Sequence, residues 1–136
     1  MNRLVEVMKN MAEDDGNMEN PGWMEEFFNY LVKYNQIIFF IDENDCMTAF
    51  MGYWRFGNRR WKFIKKAMNL EHNPGQMTKG NHLYIPIIVV RHDKRLSNYM
   101  PKFLSFLKEK VPDALTISWH DNESQKFRTH KIVRRN

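Results

Sequence analysis

The chain has 136 residues, 43% of them hydrophobic, a single cysteine and a formal net charge of +5. That length and apolar content fit one domain with a real core and exclude a disordered chain, and one cysteine excludes both an intrachain disulfide and a cysteine-based zinc cluster. No apolar run is long enough to span a membrane and the N-terminus lacks a secretory apolar stretch, so a single cytoplasmic domain covering 1–136 is expected. The net charge hides an asymmetry. Residues 1–45 carry ten acids and three bases, whereas 46–136 carry six acids and eighteen bases. Bases concentrate in Arg55–Lys66 and Lys126–Arg135, neither of which contains an acid. Such clusters attract nucleic acid, phosphorylated ligands or acidic protein surfaces, or are simply solvated.

In chain order, Leu4, Val7, Met8 and Met11 share one face of a short amphipathic helix over 2–13. Asn20-Pro21 reads as an N-cap followed by proline at the first helical position. Met24, Phe27, Phe28, Leu31 and Val32 then form an apolar stripe suited to a core. Gln36–Ile41 and Cys46–Phe56 read as strands of an antiparallel hairpin, with Asp42–Asp45 as its turn and Cys46 as a small core residue. Gly52 marks a bulge or a close backbone approach. Arg59–Leu70 has Trp61, Ile64, Ala67 and Met68 on one face and bases on the other, which predicts a basic helix. Asn73-Pro74-Gly75 and Lys79-Gly80-Asn81 are loop punctuation.

The run His82–Val90 is apolar and β-branched, as a buried strand should be. Phe103, Leu104, Phe106, Leu107 and Val111 recur at helical spacing, and Ala114–Trp119 is a further strand. Strand, helix, strand with so long a connection predicts a βαβ unit over 82–119 with parallel strands. The helix is expected from about Asn98 to Val111, with Pro101 in its first turn. Pro86 cannot donate to a ladder, so the first strand should be unpaired or bulged on one side there, and the two strands should separate near it. Lys126–Val133 alternates weakly and fits a last strand or a short helix. His72, His82, His92, His120 and His130 lack paired metal-ligand spacing, so no metal site is expected.

This order of elements resembles the GCN5-related N-acetyltransferase (GNAT) family, over roughly Asn20 to the end. In that family the fourth strand ends in V-x-P-x-x-R-G-x-G-x-G, whose glycines let backbone amides close around the pyrophosphate of acetyl-CoA. Val90 and Arg95 match the pattern. His92 stands at its proline, and Leu96, Asn98 and Met100 replace the three glycines. The resemblance implies an α/β (α+β) fold with a mixed central sheet flanked by helices. It implies a cofactor-binding set of Val89, Val90, Arg91, Arg95, Leu96, Ser97, Asn98 and Tyr99. Asn122 falls where some members contact the cofactor after the fifth strand, and equally suits a turn. His82 lies where some members carry a general base, and an imidazole can take a proton near neutral pH; it equally suits a polar strand end. No tyrosine follows Tyr99 to protonate a departing thiolate.

Two functions follow as expectations. One is an acetyl-CoA-dependent N-acyltransferase, in which strand amides polarise the thioester carbonyl for attack by an amine. The other is a catalytically inactive protein of this fold, with a structural role or a nucleic-acid or acidic-protein partner on Arg55–Lys66 and Lys126–Arg135. Small phage-encoded members of that kind occur, which would put the protein in host cytoplasm or virion. Fold alone does not choose between them.

Overall fold

A computed structural model describes residues 3–16, 18, 22–59, 61–62, 78–121 and 126–132. Its elements are α1 (Arg3–Asp14), α2 (Met24–Lys33), β1 (Ile37–Ile41), β2 (Met47–Phe56), β3 (His82–Val90), α3 (Leu96–Lys110), β4 (Thr116–Asp121) and β5 (Lys126–Lys131). The five strands form one sheet in the order β1-β2-β3-β4-β5. Only β3 and β4 run parallel; the other neighbours are antiparallel. The tail segment is thus a strand, and the βαβ unit is present as expected.

The sheet separates two apolar layers. On one face α1 and α2 pack Val5, Met8, Met24, Phe28 and Leu31 against Phe50, Trp54 and Tyr84. On the other α3 packs Tyr99, Phe103 and Leu107 against Met51, Leu83, Ile85 and Ile117. β2 lies between these layers and is buried at every residue but Arg55. A strand covered on both faces reads as a continuous apolar run, as β2 does. Gly52 sits at its centre because α2 comes so close: a Cβ there would meet Leu31 Cδ1 at 2.5 Å. The register with β3 also shifts next to it, but the extra residue lies in β3, so the glycine marks the close approach and not a bulge of its own strand.

Several sequence expectations shift. The buried face of α1 is centred on Val5, Met8, Met11 and Ala12, with Leu4 and Val7 at its margins, one residue round from the stripe predicted. α2 begins at Met24 with Trp23 as its N-cap, not at Pro21. Gly22 and Trp23 form a turn, and Met24 is the first residue whose burial repays helix formation. Asn20 and Pro21 themselves lie outside the described residues. Cys46 is exposed rather than in the core. It closes the hairpin turn, where Asp42 Oδ1 accepts the N–H of Asn44 at 2.8 Å and of Cys46 at 3.0 Å. Of the basic helix, Asn58, Arg59, Trp61 and Lys62 are described and helical, and its remainder lies outside the described residues. Pro101 is the sixth residue of α3, past the first turn, because the helix starts earlier than expected, at Leu96.

Candidate functional site

A cleft arises because β3 keeps one neighbour and loses the other. With β2 it pairs from Phe56↔His82 to Ala49↔Val90. With β4 it pairs only from His82↔Thr116 to Ile85↔Trp119. Pro86 is the next residue, and it has no N–H to offer a parallel strand. The β2 register slips at the same place, since Gly52 faces Ile87 while Trp54 faces Tyr84. Ile85 and Pro86 therefore both oppose Tyr53, which is a β-bulge. The packing shows the same extra residue. Leu83 and Ile85 face α3, and so do Ile88 and Val90, while Tyr84, Ile87 and Val89 face the other layer. The proline thus coincides with both an unpaired side and a bulge.

Beyond Ile85 the strands enclose a cleft of ≈ 760 Å³. β3 contributes Tyr84–Ile88, β4 contributes Trp119–Asp121, and α3 contributes Leu96, Ser97 and Met100 beside its N-cap, Arg95. Met100 and Trp119 are walls of this space and do not plug it. Tyr99 turns away and is buried between Phe40 and Phe103. The Arg91 N–H donates to the Thr48 carbonyl at 2.9 Å. Strand alternation then aims Val89 and Ile87 at β2, and turns the amides of Ile88 and Val90 toward the side β4 has left. The floor of the cleft is apolar and its exposed strand edge offers hydrogen-bond donors.

The charges at the mouth divide into engaged and available. Arg91 binds Asp93 through two parallel contacts of 2.6 Å and 3.0 Å and reaches Asp42 at 3.1 Å. His92 donates its backbone N–H to Asp15 Oδ1 at 2.9 Å, and its Nδ1 lies 2.9 Å from the same oxygen. The acidic N-terminal part therefore folds back onto the basic loop. Lys94 and Arg95 have no ion-pair partner among the described residues. α3 carries no acid in its first turn, and no side chain caps it. Its first amides and Arg95 thus present positive potential beside the cleft.

Of the residues singled out from sequence, Arg95, Leu96 and Ser97 line the cleft together. Val89 packs in the α1–α2 layer and Val90 against the α3 layer, while Asn98 is exposed on the first turn of α3. Asn122 lies outside the described residues. His82 is at the start of β3, below the cleft. Its Nδ1 is 2.7 Å from Thr116 Oγ1, its Nε2 is 2.5 Å from Asn58 Oδ1, and its ring stacks on Trp61.

Sequence reasoning did not reach Tyr84 and His120, which both line the cleft and join through Tyr84 Oη and His120 Nδ1 at 2.9 Å. A usable signal existed. In open α/β sheets ligands sit at the carboxyl ends of parallel strands, and His120 is near that end of β4. Burial raises the Tyr84 phenol above its ordinary range, so it stays protonated at neutral pH. His120 Nε2 is the ring nitrogen left for a ligand.

A mixed sheet whose two central parallel strands splay apart over a bulge, with a helix starting at the splay, defines a GNAT-like fold. Among solved structures the chain is similar to one described as the GphF GNAT-like decarboxylase in complex with isobutyryl-CoA, with a TM-score of 0.59 and 9% identity. The match covers 85% of this chain and 60% of that one, so the chain spans less than two thirds of that protein's length. No protein-family profile matches the sequence, and no curated protein matches it. Among the described residues no helix is long and apolar enough to cross a membrane.

Proposed function

We propose that the cleft between β3 and β4 binds acyl-CoA and that the protein transfers the acyl group to an amine. The observation that carries this reading is the departure of β4 after Ile85↔Trp119, which leaves β3 with a free edge in a space of ≈ 760 Å³. That volume is in the range of small-molecule sites, roughly 300–1,000 Å³. An extended pantetheine arm carries amides of its own and can satisfy the edge donors of Ile88 and Val90. Arg95 and the first amides of α3 suit the pyrophosphate, with Lys94 adding charge. Ile85, Met100 and Trp119 suit an apolar acyl chain. A protein of similar fold that holds isobutyryl-CoA adds support. We take acetyl-CoA as the first ligand to test. Thermal unfolding at millimolar acetyl-CoA should show a higher melting temperature, because an excess of about 100-fold over Kd stabilises by roughly 2.7 kcal/mol. An unchanged melting temperature would sink the reading.

A second reading, a binding protein without catalysis, is favoured by β5. This edge strand exposes Lys126, Arg128 and Lys131. Retention of labelled duplex DNA at low salt, lost steeply as salt rises, would support it.

A further inference from the structure

We propose that His120, held by Tyr84, is the proton-exchanging group of the cleft, serving first the acceptor nitrogen and then the thioester sulfur. The inference rests on the acyl-CoA reading above and names the chemistry of that site. Three observations carry it. The pair lies in the cleft wall, where β4 has parted from β3. His120 is exposed, whereas Tyr84 is buried and anchored, its ring parallel to Phe127 at 9° with centroids 6.1 Å apart. Phe127 also meets the His120 ring edge-on at 75° and 5.2 Å, so the imidazole is gripped on two sides.

In the tautomer that donates Nδ1–H to Tyr84 Oη, the lone pair of Nε2 is available to a ligand. A neutral amine attacks the carbonyl carbon and the C–N bond forms. His120 Nε2 takes the proton this nitrogen loses. The C–S bond breaks with its electron pair on sulfur, and the imidazolium returns the same proton to give the thiol. Atoms and charge balance without another reactant. An imidazole manages both transfers near neutral pH. The charged groups around His120 are Asp121 beside it, Lys126 and Arg128 across on β5, and Arg95 on the facing wall. Asp121 approaches Arg128 at 3.6 Å, which offsets part of the local positive charge.

The test needs no acceptor. The thiol of CoA itself is titrated in complex with the protein, by the ultraviolet absorbance of its thiolate. Binding of CoA is measured in parallel by calorimetry. Once His120 has taken the thiol's proton, the imidazolium beside the sulfur stabilises the thiolate as an ion pair, so wild-type protein should lower the pKa of the bound thiol by about one unit or more. His120→Gln should return it to the value of free CoA while CoA still binds. Tyr84→Phe, which keeps the ring packing, should recover part of the shift. If CoA binds wild-type protein and His120→Gln titrates identically to it, the assignment of His120 is overturned and the CoA site stands. If CoA does not bind wild-type protein, the acyl-CoA reading fails and takes this one with it.

Discussion

Gly52 shows how tightly a single position is bound to its surroundings. A Cβ would lie 2.5 Å and 3.0 Å from the two Leu31 methyls, and Leu31 is completely buried. Gly52→Ala should therefore cost about 1–3 kcal/mol in a urea titration. The clash is with the end of a side chain, so in a Leu31→Ala background the same change should cost much less; equal penalties in both backgrounds would refute the contact. Asp42 gives a pH signature. The Cys46 N–H, then Arg91, then the Asn44 N–H hold its carboxyl below the usual carboxylate range. A depressed folded value means a contribution present above the unfolded pKa of about 3.9 and lost as pH falls through the folded one. Asp42→Asn should be less stable than wild type at neutral pH, with the gap closing as pH drops below about 4. A gap that stays constant down to about pH 2 would contradict the assignment. The presence of a turn at Asp42 was readable from its residue types. Its carboxylate's reach to Arg91, 49 residues away, was not, because nothing local encodes it.

At the scale of elements, the βαβ unit was legible because its signals are local. β-branched runs, a helical period and a connection too long for a hairpin leave few alternatives. The start of α3 was less so. Pro101 suggested a later start, since proline is best tolerated in a first turn. Leu96 instead begins the helix and Pro101 stands sixth, where a non-proline residue would donate to the Ser97 carbonyl. The proline is exposed and Ser97 is exposed, so water can reach the orphaned carbonyl. Pro101→Ala should stabilise the protein by about 1–3 kcal/mol, the helical gain outweighing the extra freedom of the unfolded chain. Loss of stability in the same urea titration would show that the proline is needed where it is.

For the whole molecule, the acidic first third and the basic remainder are not separate surfaces. Asp42 pairs with Arg91, so part of the charge asymmetry is offset by contact between the two parts, and Asp15 also meets His92. Arg55 likewise spends its charge on Asp113 and the Gly80 carbonyl. The sequence displayed the charge blocks but not these pairings, which depend on α1 and the β1–β2 turn both reaching the loop after β3. The cleft was half legible. Its position followed from Pro86 and the parallel strands. Of its walls, Arg95, Leu96 and Ser97 were legible and the Tyr84–His120 pair was not, because those two are 36 residues apart and only the sheet register makes them neighbours.

The break between β3 and β4 also exposes the protein to a danger. Among the described residues, the apolar strand edge from Ile87 to Val90 has no strand partner on the side that β4 leaves, and such an edge is a template for any extended chain. Pro86 stands at the entrance, and its missing donor spoils the first rung for an intruder. The residue would then act as a gatekeeper against self-association, whatever occupies the cleft. Pro86→Thr restores the donor with a strand-forming residue. Light scattering should show that variant forming oligomers as its concentration or temperature rises, under conditions where wild-type protein stays dispersed. Equal scattering from the two proteins would remove this protective role.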